Sequence, residues 1–124
     1  VDEPLYEQVG GEPFFEKLVD AFYVEVEQSD ILRPMYPDDL VAPRRHLVIF
    51  LMQYWGGPTL YMQERGHPRL RMRHAPFRIT KKARDAWLAA MNTALESMRD
   101  ELTHEQFVEM SSYFDMAAHQ LRNV

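Results

Sequence analysis

The 124-residue sequence predicts an all-α fold, and three observations carry that expectation. Apolar residues recur at helical spacing in four separate segments. Val, Ile and Thr are sparse, and no Asn-Gly or Asp-Gly pair is present to close a hairpin. Residues suited to helix starts stand at the head of each segment. The length fits one domain, residues 1–124, with room for a core and one buried ligand.

The first segment opens at Pro13, a favoured first helical residue, and runs to about Gln28. Phe14, Phe15, Leu18, Val19, Phe22, Tyr23 and Val26 form a broad apolar stripe along it. The second begins near Pro43, shows Leu47, Phe50, Leu51 and Tyr54 at i, i+3, i+4 and i+7, and stops at Gly56-Gly57-Pro58. Thr80 is the expected N-cap of the third, whose face carries Trp87, Met91, Leu95 and Met98. The fourth opens on Thr103-His104-Glu105-Gln106, a capping box, and continues through Phe107, Met110, Phe114, Ala117, Ala118 and Leu121.

Between the second and third helices, Gly56 to Ile79 forms an unusually long connection. Pro58, Gly66, Pro68 and Pro76 forbid one continuous helix there. Long connections are usually functional or disordered. Leu60, Leu70, Met72, Phe77 and Ile79 give this one apolar side chains to bury, which favours a site.

Composition removes several function classes. The chain has no cysteine, so disulfides, thiolate nucleophiles, zinc knuckles and iron–sulfur clusters are excluded, and a cytoplasmic address is expected. No signal-like N-terminus or membrane-length apolar run is visible. A net charge of −5 argues against nucleic acid or an anionic membrane as partner. There is no His-Glu-x-x-His motif, no Gly-x-Ser-x-Gly and no glycine-rich phosphate loop. His67 and His74 could suggest a metal pair, but Pro68 interrupts the helix that would align them.

The remaining chemistry concentrates around His74. A lone histidine is as a rule a core or surface residue, and an arginine cluster such as Arg65, Arg69, Arg71, Arg73 and Arg78 is as a rule a solvated face. Here Met72, Phe77 and Ile79 add apolar surface beside the imidazole, while Arg69 and Arg73 add cations. A macrocycle with two carboxylates needs that combination: an axial nitrogen, an apolar wall and cations at the rim. Tyr23, Tyr36 and Trp87 each carry a polar tip that requires a partner when buried. A shared bound ligand is one answer to that requirement.

The strings Phe22-Tyr23, Tyr36-Pro37-Asp38-Asp39-Leu40, Gln53-Tyr54-Trp55-Gly56-Gly57-Pro58 and Arg65-Gly66-His67-Pro68-Arg69-Leu70 resemble those of group II truncated haemoglobins. So do Arg71-Met72-Arg73-His74-Ala75-Pro76-Phe77 and Ala86-Trp87-Leu88. The likeness runs from about Tyr6 to about Asn123. It implies a shortened globin, a two-over-two helical sandwich around haem b (iron protoporphyrin IX), with His74 as the iron ligand. Tyr23, Tyr36 and Trp87 match the family's distal donors, which surround bound oxygen or another diatomic gas. Leu47 and Phe50 match positions on that distal face. Arg73 matches a propionate-pairing position, with His46 and Tyr61 as helpers. Met72, Phe77, Ile79 and Met91 complete the expected haem contacts.

Where many globins carry a distal histidine, this chain has Pro43, so ligand stabilisation is expected from the Tyr and Trp donors. Two function classes follow from the resemblance. One is reversible oxygen binding for storage, transport or sensing. The other is redox catalysis at the same iron, either nitric oxide dioxygenation or peroxidase-like turnover, with electrons from an external reductase. A haem-free helical adaptor is the third class, and a Soret band separates it from both.

Overall fold

The computed structural model describes residues 3–124. Among these it contains seven α-helices and two 3₁₀ turns: α1 (Leu5–Gln8), α2 (Glu12–Gln28), α3 (Val41–Tyr54), α4 (Leu60–Arg65), α5 (Leu70–His74), α6 (Lys81–Ser97) and α7 (His104–Leu121). The 3₁₀ turns are Arg33–Met35 and Arg99–Glu101. The long helices pack α2 against α3 and α6, and α6 against α7. No described helix is long and apolar enough to cross a membrane.

Helix α2 buries the stripe its sequence spells out. Phe15, Leu18, Val19, Phe22 and Val26 are fully inaccessible, with Phe14 and Tyr23 nearly so. Each such side chain contributes about 1.5–3 kcal/mol by leaving water. The Thr80 hydroxyl accepts the Ala83 N–H at 3.1 Å and starts α6 where the cap predicts. Thr103 and Gln106 exchange both capping-box bonds, at 2.9 and 3.1 Å, and start α7.

Helix α3 departs from its expected pattern. It begins two residues before Pro43, at Val41, whose N–H is accepted by Asp39 Oδ1 at 2.9 Å. Its most deeply buried residues are Val48, Ile49, Leu51 and Met52, while Tyr54 is half exposed. The helix is apolar on two sides because it separates two apolar environments. One side packs on α2; the other, with Leu47 and Phe50, faces a cavity.

The N-terminal segment is fastened to the end of α3. The Tyr6 N–H donates to the Trp55 carbonyl at 3.0 Å. A Cβ on Gly57 would lie 2.6 Å from Tyr6 Cδ1 and 2.8 Å from the Met52 carbonyl oxygen, so only glycine admits this approach. Gly56 adopts φ +90°, a left-handed value that glycine reaches without strain.

The connection from Gly56 to Ile79 resolves into two short helices, α4 and α5, separated by Gly66 and the pair His67-Pro68. Arg69 takes a left-handed backbone, φ 42°, and its N–H donates to His67 Nδ1 at 3.1 Å. Helix α5 ends at His74, two residues before Pro76, as the proline requires.

Candidate functional site

An aromatic series leads from the N-terminus to the cavity. Ring centroids step from Tyr6 to Phe15 (5.9 Å), Trp55 (6.1 Å), Phe114 (5.8 Å) and Trp87 (6.0 Å). They continue to Phe22 (5.5 Å), Tyr23 (5.1 Å) and Tyr36 (5.6 Å). Most meet edge to face or tilted, the arrangement their quadrupoles favour. Tyr23, Tyr36 and Trp87 are therefore held by packing before any ligand arrives.

These three side chains line a cavity of about 420 Å³, within the size range of cofactor pockets. Helix α2 supplies Tyr23, the segment after the first 3₁₀ turn supplies Tyr36, and α6 supplies Trp87. The guanidinium of Arg33 donates to the carbonyls of Tyr36, Pro37 and Asp38, at 3.4, 3.0 and 3.0 Å, and so fixes the turn that delivers Tyr36. Burial pushes the Tyr36 hydroxyl up to about 12, and the neighbouring Trp87 indole N–H partly offsets that rise. Burial raises Tyr23 further, with Tyr36 adding to the effect. Both phenols are thus protonated donors throughout the physiological range.

His74 lines the same cavity from α5. Its Nδ1 lies 2.6 Å from the Leu70 carbonyl, one helical turn back. A carbonyl can only accept, so Nδ1 carries a proton, and in the neutral ring Nε2 keeps its lone pair. This is the arrangement in which a histidine binds a metal through Nε2 while its other nitrogen is tethered. Among the described residues no group of three or more His, Asp or Glu could hold a bare metal ion. A metal at His74 would need most of its ligands from a non-protein source, and a macrocycle supplies them.

Leu47, Phe50, Tyr61, Phe77 and Ile79 complete the expected wall, and His46 joins it. Tyr61 is buried, meets Phe50 edge to face at 5.6 Å, and lies beneath two cations, Arg65 at 5.7 Å and Arg73 at 5.6 Å. Arg73 donates to the carbonyls of Pro68 (2.7 Å), Arg65 (2.7 Å) and His67 (3.2 Å), which ties α5 to the end of α4. Arg65 approaches His46 Nδ1 at 3.0 Å. The His46 pKa is lowered, first by burial and then by Arg65. The rim is cationic and apolar together, as two carboxylates on a flat hydrophobic ring require.

Two expected contacts lie elsewhere. Met72 is 59 % exposed and outside the cavity wall. Leu70 and His74, four residues apart, share the inward face of α5; Met72 sits between them and points roughly the opposite way. Met91 is fully buried but in the helix core. It lies one turn beyond Trp87 on the same stripe, where α6 has already left the cavity for its contact with α2. Of the arginine cluster, only Arg65 and Arg73 reach the wall; Arg69, Arg71 and Arg78 do not.

The cavity also recruits residues that the sequence reading left unassigned to it. Arg84 forms part of the wall, its side chain only 12 % exposed and paired with Asp85 at 3.0 Å. Its spacing from Trp87, i and i+3, is the signal that places both on one face. From α7 come Tyr113, Phe114, Ala117, Ala118 and Leu121. Tyr113 packs tilted against Tyr54 with centroids 4.1 Å apart, and burial pushes its hydroxyl up to about 12.

The bacterial-like globin family matches residues 4–120. "Group 2 truncated hemoglobin YjbI" of Bacillus subtilis (strain 168) is 47 % identical over 91 residues, covering 73 % of this chain and 68 % of that protein. A solved haemoglobin from the thermophilic phototroph Chloroflexus aurantiacus superposes with a TM-score of 0.95 at 46 % identity, covering 99 % of this chain and all of that one. A truncated oxygen-avid haemoglobin from Bacillus subtilis superposes at 0.91 with 39 % identity, covering 98 % of this chain and all of that one. The aromatic-lined cavity inside a two-over-two helical sandwich, and the similarity along almost the whole sequence, have one reading: this chain belongs to the bacterial-like globin family, as a group II truncated haemoglobin.

Proposed function

We propose that the cavity holds haem b and that this chain binds oxygen and other diatomic gases at an iron ligated by His74. The observation that carries the reading is the His74 ring, tethered through Nδ1 to the Leu70 carbonyl and so left with Nε2 to bind. Haem, when bound, would supply an iron able to take a diatomic gas and make it a hydrogen-bond acceptor. The chain's own part is to hold the group, exclude water and present donors. Arg73, Arg65, His46 and Tyr61 meet the propionates at the rim; Leu47, Phe50, Phe77 and Ile79 shed water from the ring. A chain without cysteine cannot form thioether links to the haem vinyl groups.

Tyr23, Tyr36 and Trp87 donate to the gas. Donors already locked in an aromatic series stabilise developing charge without reorganising. Three of them retain oxygen strongly, which suits a redox role better than delivery. The second reading follows: nitric oxide dioxygenation or peroxidase-like turnover at the same site, with an external reductase as electron source.

The test of the primary reading is substitution of the tethered histidine. His74→Ala should lose the haem or hold it weakly, while His67→Ala and His119→Ala, on exposed histidines outside the cavity, should keep it. A Soret spectrum and haem stoichiometry unchanged in His74→Ala would falsify the ligand assignment. Rates of nitric oxide consumption by the oxygenated protein, and of peroxide consumption by the ferric protein, separate binding from catalysis.

A further inference from the structure

The segment that follows His74 carries two wall residues, Phe77 and Ile79, yet belongs to no helix. A loop in that position has to be held, because its backbone sets where His74 and the wall stand. The Phe77 N–H closes a local turn onto the His74 carbonyl at 3.0 Å. The ties from outside come from one residue beyond the end of α7. The side-chain Nδ2 of Asn123 donates to the Phe77 carbonyl at 2.9 Å and, more weakly, to the His74 carbonyl at 3.4 Å. Its Oδ1 accepts the Ile79 N–H at 2.9 Å. The backbone closes the arrangement, the Asn123 N–H donating to the Ile79 carbonyl at 3.0 Å.

We infer that Asn123 is a positioning residue for His74: one amide side chain, working as donor and acceptor at once, latches the 74–79 loop to the C-terminal end of α7. The inference rests on the reading of His74 as the iron ligand. Asparagine suits the task because it alone among side chains of this length offers two donors and a carbonyl acceptor from one planar group. Aspartate keeps the shape and the acceptor for Ile79 but loses both donors, and sets a charge against the His74 and Phe77 carbonyls. The latch also joins two contributors to the cavity lining, since α7 supplies Ala117 and Leu121 and this loop supplies Phe77 and Ile79.

The consequence is specific. Asn123 touches neither the cavity nor the gas, so losing it should loosen the His74 side and leave the Tyr23, Tyr36 and Trp87 donors in place. The holoprotein is compared as wild type, Asn123→Ala and Asn123→Asp. Resonance Raman of the ferrous, gas-free form reads the iron–histidine stretch, which reports ligand orientation. Amide exchange at Ile79 reads the latch itself. Transfer of haem to an acceptor apoprotein reads retention. Expected is a shifted or broadened iron–histidine band in both variants, faster Ile79 exchange in Asn123→Ala, where the acceptor is lost, and haem loss accelerated about three- to tenfold, the range for losing about one net hydrogen bond. An iron–histidine band unchanged in position and width in both variants overturns the inference, even if stability falls slightly. A wild-type protein showing no iron–histidine band at all overturns the His74 reading on which it rests, so the two failures are told apart.

Discussion

At the scale of single residues, Trp87 and His46 show how environment sets what an ordinary side chain can do. Indole is donor-only, so Trp87 cannot turn its polarity around as the tyrosine hydroxyls can. It is also locked between Phe22 and Phe114. Trp87 is therefore the donor expected to set the oxygen off-rate. A hydrogen bond to a charged group is worth about 1.5–3 kcal/mol, so Trp87→Phe should speed oxygen release roughly ten- to a hundredfold. Carbon monoxide is a weaker acceptor, and its release should change far less. Matched shifts in both gases would mean that Trp87 only fills space.

His46 answers to pH. Its folded-state pKa lies below the ordinary histidine value of about 6.5 because burial, then Arg65, disfavours the imidazolium. The unfolded chain therefore binds the proton first. In the haem-free protein, where no propionate faces the imidazole, stability is intact above about pH 6.5 and declines as pH falls through that value toward the folded-state pKa. His46→Gln should flatten the decline of the thermal midpoint over that window. An unaltered slope in the variant would remove His46 as its source.

At the scale of elements, the caps and the short helices behave differently. Thr103 secures the start of α7 through the Gln106 N–H, far from the cavity. Thr103→Ala should cost about 1 kcal/mol in denaturant unfolding without changing gas kinetics. Altered gas kinetics would show that the start of α7 is coupled to the wall it forms further along. The α4 and α5 helices are too short to be stable alone. They are held by Arg73 reaching three carbonyls and by the latch at Asn123. Their existence was hidden in a connection that prolines merely marked as unable to form one helix. A sequence shows where a helix must stop more readily than what makes a five-residue helix worth forming.

At the scale of the whole molecule, the fold depends on a few close approaches between distant segments. Gly57 is the clearest, because any side chain there meets both Tyr6 and the Met52 carbonyl. Gly57→Ala should destabilise the protein by about 1–3 kcal/mol, as overpacking does, and loosen the N-terminal segment. A denaturation midpoint equal to wild type would show that Tyr6 and the backbone at Met52 both give way freely. The cost should appear with haem bound or removed, since Tyr6 stands at the far end of the aromatic series from Tyr23 and Tyr36.

His74, Tyr23, Tyr36, Trp87, Leu47 and Phe50 were singled out by their resemblance to group II truncated haemoglobins, whereas the sequence by itself determined the four long helices and the caps Thr80 and Thr103. These are legible because helical periodicity and capping are local, recorded within a few neighbouring residues. The stripe of α2 was buried as written for that reason. Tertiary structure alone decided which side of α5 turns inward, leaving Met72 in solvent, and where along α6 the cavity gives way to core, leaving Met91 outside it. It also brought Asn123 to a loop more than forty residues earlier in the chain. Periodicity assigns a side chain to a face, but what that face meets depends on how separate helices pack, and no local spacing records that.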